Sequence, residues 1–299
     1  MSTATASKAA VQVKPCPKPG AGVNPWIYSA AHACRRAGMT EAEAEAWIVP
    51  HMTRAPRRNE VERTVENAFR HGDSKADKPH FPAANREQIE AVSASGAGVA
   101  DLWEASPVRP DGKMTTAFYL SHLFAGDPLL CVGRKNRLPF FRPHHFTQPL
   151  SRIAPRADTL ELIVPSPMLA QWGTTQEGKR SQHTLDATGP RRFLIVEGDK
   201  LDGQPIPKDT QAAVLLHLAA RAPLALVVDS GGKSLHGWFN CAGMADDDPR
   251  LHNFFARACT LGADAALWTR SQFCRMPEGK RNTGNRQKVR YFNPSALPL

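Results

Sequence analysis

RRFLIVEGD, residues 191–199, and LALVVDSGGKSLHGWFNC, residues 224–241, decide the reading of this chain. The first is a β-rich run that ends in acids. Between the two, residues 208–221 carry Ala212, Leu215, Leu216, Leu218 and Ala219 on one side, the periodicity of a helix. LALVV (224–228) predicts a second strand, Ser230-Gly231-Gly232-Lys233 a tight turn, and Ser234 to Cys241 a returning third strand. Downstream, Asp248-Pro249 caps a second helix with Leu251, Phe254, Phe255, Ala258 and Leu261 apolar, closed at Gly262. QFCRM (272–276) and KVRYF (288–292) are strand-like. The order β-α-β-β-α-β over residues 191–293 is that of the split βαβ, ferredoxin-like or RRM-like sheet.

Working outward, the segment 101–190 mixes short apolar runs, Leu129–Val132 and Leu160–Val164, with Pro- and Arg-rich loops, which predicts an additional α/β subdomain. Residues 85–94 predict a helix, and GDSKADKPHF (72–81) reads as a linker. Before it, residues 24–72 predict a small bundle of about three helices. Asn24-Pro25 starts the first and Gly38 stops it; Thr40 and Glu43 make a T-x-x-E capping box, and Pro50 ends that helix. Asn59 and Glu62 open the third, with Val61, Val65 and Phe69 on one face. Residues 1–23 are rich in Ala, Lys, Pro and Gly and predict a disordered basic tail. The expected organisation is a tail (1–23), a helical module (24–72), a linker with a helix (73–100) and an α/β, or α+β, domain over 101–299.

Composition narrows the class. The 299 residues are 41% hydrophobic and 22% charged, as in an ordinary globular protein. No apolar run is long enough to span a bilayer, and MSTATASKAAVQVK has no signal-like core, so a cytoplasmic setting without a membrane partner is expected. The six cysteines form no C-x-x-C pair, which argues against a zinc ribbon or disulfide framework and for reduced, mostly buried thiols. A formal net charge of +10 favours a polyanionic partner.

Chemistry concentrates where the β-α-β-β unit ends. Glu197 and Asp199 are two apart on a strand, so their carboxylates leave the same face, with Gly198 removing bulk between them. Paired hard oxygen donors suit Mg²⁺ or Mn²⁺, and two such ions can activate a 3′-hydroxyl and stabilise leaving pyrophosphate. Ser234 and His236 also share a face, on the strand that the topology sets beside the acids. The turn at Gly231-Gly232 offers backbone N–H groups and Lys233 a positive charge, a setting suited to a triphosphate.

Two other readings of these residues lack a required part. SGGKS is P-loop-like, but Val227 occupies the position of the first P-loop glycine and SLHGWF is strand rather than helix. LIVEGDKLD resembles the glutamate motif of Toprim domains, which need a later D-x-D; here Asp229 is followed by Gly231. Toprim stays a weak alternative.

With these motifs in view, the chain resembles the archaeo-eukaryotic primase superfamily, the primase–polymerase domains, over roughly residues 100–293. The family's first motif, D-x-D or E-x-D, is matched by Glu197 and Asp199; its second, S-x-H, by Ser234 and His236. In that family the histidine contacts the triphosphate of the incoming nucleotide. A third acid is matched by Asp264, with Asp229 as competitor, and Arg275 and Pro277 match part of an R-x-P-G segment that Glu278 interrupts. GMTEAEAEAWI and RNEVERTVENAF resemble the small PriCT helical module, which in the family usually follows the catalytic domain and here precedes it.

The resemblance implies a DNA primase or polymerase using two Mg²⁺ or Mn²⁺ ions. Glu197, Asp199 and a third acid would hold metal, and Lys233, Ser234, His236 and Arg275 the nucleotide triphosphate. The implied partners are single-stranded DNA, ribo- or deoxyribonucleoside triphosphates and a replicative helicase in trans. Arg134, Lys135, Arg137, Lys280, Arg281 and Arg286 are candidates for template phosphates, with Phe140, Phe141, Tyr291 and Phe292 interleaved among the basic segments. His144-His145 has no acid or cysteine at ligand spacing to support a metal pair. A non-catalytic nucleic-acid-binding replication initiator with the same fold is the alternative.

Overall fold

Capping residues set the helix boundaries near the N-terminus. The computed structural model describes residues 11, 13–19, 23–70, 80–135, 144–175, 177–198 and 200–297. Helix α1 spans Val23–Arg36, and Gly38 follows it at φ 75°. Glu43 N–H donates to Thr40 Oγ1 at 3.3 Å while Thr40 N–H donates to Glu43 Oε2 at 2.8 Å, the reciprocal pair that starts α2, Glu41–Ile48. Pro50 lies in the 3₁₀ turn Val49–His51 that ends it. Helix α3 spans Glu60–Arg70; Asn59 precedes it at φ 57°, its carbonyl accepting from Arg63 N–H at 3.2 Å, and the Glu60 carboxylate takes the Arg57 N–H at 2.9 Å. Ile27, Ala31, Cys34, Ile48 and Val65 form the core of this bundle. Most of the expected tail, and residues 73–79 of the expected linker, lie outside the described residues.

The chain divides into two compact units, Met1–His80 with Gln176–Lys179, and Phe81–Thr175 with Arg180–Leu299. Helix α4, Arg86–Ser93, belongs to the larger unit: its Asn85 cap accepts from Gln88 N–H at 3.0 Å, and Asn85 N–H donates to Thr260 O at 2.8 Å. Helices α5 (Val99–Glu104) and α6 (Thr116–Leu123) follow. Strands β1 (Leu129–Arg134), β2 (His144–Pro149) and β3 (Leu162–Ile163) begin a first sheet. Then come β4 (Phe193–Glu197), α7 (Lys208–Ala219), β5 (Leu224–Asp229), β6 (Leu235–Asn240) and α8 (Pro249–Thr260). Strand β7, Cys274–Arg275, joins the first sheet, and β8, Lys288–Phe292, completes the second.

The larger unit is thus mixed α and β, with antiparallel sheets ordered β7-β3-β1-β2 and β8-β5-β6-β4. In the second sheet β6 lies between β4 and β5, as a split β-α-β requires. The last strand departs from the ferredoxin-like order, in which it would lie beside the first. Here β8 pairs with β5, Lys288 opposite Asp229 and Phe292 opposite Leu226. The free edge of β4 is already taken: Gly198 bridges Ala263, and Asp264 N–H donates to Glu197 O at 2.9 Å. The chain then crosses to the first sheet as β7 and returns on the β5 side.

Burial of Phe193, Trp238, Phe239, Phe255 and Phe292, each at most 1% exposed, anchors the second sheet; apolar area of this size is the main stabilising term. Five cysteines are buried and Cys16 is half-buried, all as free thiols. Burial pushes the thiols of Cys131, Cys241 and Cys259 up to about 12, so they stay protonated at neutral pH. Among the described residues no helix is long and apolar enough to cross a membrane.

Candidate active site

Register decides which side chains meet. His236 lies opposite both Glu197 and Val228, so the three share one face of the second sheet. Asp229 lies opposite Leu235 and therefore points to the other face, where Lys208 at the start of α7 reaches it at 2.7 Å. Ser234, two residues before His236, falls on the Glu197 face. Its Oγ donates to Glu197 Oε1 at 2.6 Å, and His236 Nε2 stands 3.3 Å from the same oxygen. The expected meeting of the E-x-D and S-x-H strands is present through Glu197, Ser234 and His236. Asp199 lies outside the described residues.

Glu197 is ionised at neutral pH. Burial raises its pKa, but His236, Ser234 and Arg275 together outweigh burial and hold the carboxyl down at about 2. A carboxyl held below its ordinary 4.5 stabilises the fold above that pH, and the stabilisation is lost as pH falls towards 2. Denaturant unfolding from pH 6 to pH 2 should therefore show a loss of about 2–3 kcal/mol from this group. Glu197→Gln should flatten that part of the profile; an unchanged pH dependence in the variant would refute the assignment.

His236 is 2% exposed, and its Nδ1 is buried without a hydrogen-bond partner among the described residues. A buried, unsatisfied ring nitrogen is costly unless another group completes it.

The turn at 230–234 differs from the expectation of exposed N–H donors. Gly231 N–H donates to Asp229 Oδ1 at 3.0 Å; Gly232 and Ser234 N–H donate to Ser230 Oγ at 3.3 and 3.2 Å. Asp and Ser at a strand end satisfy the following amides locally, so these three are already used. The cations here are Lys233, which is exposed, and Arg281, whose Nη1 approaches Ser230 O at 3.5 Å.

The two candidates for a third acid are both placed away from Glu197 in role. Asp229 is 5% exposed and accepts from Lys208 and, at 3.2 Å, from Arg290. Burial raises its pKa, but these cations and the Gly231 N–H outweigh it and leave the pKa lowered. Asp264 is exposed; its backbone lies beside Glu197, and its carboxylate caps the 3₁₀ turn Ala265–Trp268 through Ala266 N–H at 2.9 Å. Among the described residues no three His, Cys, Asp or Glu side chains converge to hold a metal ion. On this face the described residues place one hard oxygen donor group, the Glu197 carboxylate.

Sequence reasoning missed Glu161, just before β3. Its side chain is 1% exposed and receives Arg275 Nη1 at 2.5 Å, with Arg281 Nε at 3.8 Å. Arg275 is therefore tied to Glu161 and lies close enough to help lower the pKa of Glu197. The interrupting Glu278 takes φ 54°, and its carboxylate accepts from Val289 N–H at 2.8 Å and Arg286 Nε at 3.2 Å. Gly279 follows because a Cβ there would stand 2.3 Å from Leu160 O. The only cue to Glu161 was an acid inside the apolar run Leu160–Val164.

Other predicted residues scatter. Arg134, Lys135 and Lys280 are exposed; Arg286 is exposed but paired with Glu278. Tyr291 and Phe292 are buried in the core and are not available to stack on bases. His144 is exposed, and His145 packs edge-on to His183, ring centroids 5.2 Å apart. Arg137, Phe140 and Phe141 lie outside the described residues.

With this geometry in hand, comparison with known proteins adds nothing to it: no protein family, curated protein or solved structure matches the chain.

Proposed function

We propose that the chain is a template-dependent nucleotidyltransferase of the primase–polymerase type, making or extending primers on single-stranded DNA. The observation that carries this reading is the cross-strand group in which Ser234 and His236 both meet one oxygen of an ionised Glu197. Its β4-β6-β5 core supports an RRM-like sheet, with the last strand moved to the opposite edge. Glu197 and Asp199 would hold Mg²⁺ or Mn²⁺; Asp264, beside Glu197 in backbone, would serve as third acid only by giving up its cap on Ala266 N–H. Bound there, the ions supply activation of the 3′-hydroxyl and stabilisation of the leaving pyrophosphate.

The chain's own residues position the nucleotide. The unpartnered Nδ1 of His236 suits a phosphate oxygen, and Lys233 and Arg281 at the turn add charge for the rest of the triphosphate. Arg275, held by Glu161, keeps the surroundings of Glu197 positive. The exposed Arg134, Lys135 and Lys280 remain candidates for template phosphates. The N-terminal helices would act as a PriCT-like module, and a helicase would act in trans.

Titration with a fluorescent nucleotide tests the reading. Wild type should bind in a manganese-dependent way, and His236→Ala should weaken binding by about 10²-fold while its melting curve stays cooperative. Single-stranded DNA binding with no dependence on nucleotide or metal would instead favour a replication-initiator protein without catalysis.

A further inference from the structure

Gln211 lies in the first turn of α7, on the far side of the sheet from Glu197, and is 4% exposed. All of its amide is used. Nε2 donates to Ile206 O at 2.7 Å and to Lys233 O at 3.0 Å, and Oε1 accepts from Leu235 N–H at 2.8 Å. Lys233 and Leu235 are the two neighbours of Ser234, so one side chain fixes the backbone on both sides of the serine that meets Glu197. The same residue also abuts the acid strand. A Cβ on Gly198, between Glu197 and Asp199, would stand 3.1 Å from Gln211 Cγ.

We propose that Gln211 is a positioning residue that sets the Ser234–His236 strand against the Glu197 strand from behind the sheet. A fully bonded amide at this depth is demanding, because each bond lost leaves a buried backbone group unsatisfied. A methionine of similar volume would fill the space but leave Ile206 O, Lys233 O and Leu235 N–H without these partners. The amide does what the methionine cannot: it ties the turn after β5 to the start of α7 and leaves Ser234 a single orientation. Glycine at 198 is the matching adaptation on the other strand, since it lets Gln211 lie against the E-x-D backbone. The expected consequence for nucleotide handling rests on the nucleotidyltransferase reading; the structural consequence does not.

The test is residue-resolved amide hydrogen exchange on the full chain, wild type against Gln211→Met, together with nucleotide titration and steady-state incorporation. Gln211→Met should speed exchange at Ser234 and Leu235 by at least about tenfold and leave the β5 amides Leu226–Val228 unchanged. Nucleotide KM should rise about tenfold with kcat changed much less, since the ligands of the reaction remain in place. Exchange that is unaltered at Leu235, or that accelerates uniformly across the sheet, would overturn the positioning role. If Gln211→Met does not fold, Gly198→Ala crowds Gln211 Cγ while keeping its amide and should speed exchange at Leu235 in the same direction by a smaller factor; unaltered exchange there would overturn the positioning role. Wild type that binds no nucleotide would overturn the proposed function and leave the exchange result to decide the role of Gln211.

Discussion

Replacing Glu197 with glutamine is expected to lower template-directed nucleotide incorporation by at least about 10³-fold in a protein that still folds. Glutamine keeps the shape, and its carbonyl oxygen still accepts from Ser234 Oγ, now at 2.6 Å from the carboxylate. What it removes is the negative charge, which His236, Ser234 and Arg275 preserve down to about pH 2. A neutral amide oxygen is a poor substitute for a carboxylate on a hard divalent ion. The fold should survive the change at a cost of about 2–3 kcal/mol, the stabilisation that the charge contributes at neutral pH, because Ser234 Oγ keeps its acceptor. A variant with near wild-type incorporation would mean that Glu197 is an ordinary buried acid balanced by its neighbours. Loss of activity with a collapsed melting transition would be a folding effect, which is why circular dichroism accompanies the assay.

The second large effect is on stability. Arg275→Met should destabilise the protein by about 3 kcal/mol or more, because it leaves Glu161 buried without its principal counter-ion. The Glu161 side chain is 1% exposed and cannot turn to water. Arg281, with Nε 3.8 Å away, supplies partial compensation and keeps the loss at the lower end of the range for broken buried pairs. For a unit of this size the change corresponds to a fall in Tm of roughly 6–12 °C. The double variant Glu161→Leu/Arg275→Met should recover most of the loss, since a packed apolar pair replaces both charges. If Arg275→Met melts like wild type, the buried pair is not what joins β7 to the segment before β3.

Much of this was legible because it depends on short-range rules. The helix boundaries at Thr40 and Asp248 follow from capping chemistry, and the structure shows each side chain accepting an amide of the first turn. The pairing of Glu197 with His236 follows from a two-residue period and the β-α-β-β order. The same parity excludes Asp229 from that face, since it directly follows Val228 and so points the opposite way. What was not legible depends on contacts distant in sequence. Glu161 and Arg275 are 114 residues apart, and neither segment signals the other. The edge taken by β8 depends on whether Ala263–Asp264 occupies the outer side of β4, a packing outcome with no local marker. The N–H groups of the glycine turn looked free in sequence because Asp229 was read as a competing metal-binding acid and Ser230 as part of the turn, not as acceptors for the amides that follow them.

The most direct measurement is incorporation of labelled nucleotides, of both sugar types, on single-stranded DNA templates of defined sequence with Mg²⁺ or Mn²⁺. Wild type should make products whose composition follows the template and changes with it, and Glu197→Gln should make almost none. A folded wild-type protein that binds the DNA yet incorporates neither sugar type with either metal would contradict the account.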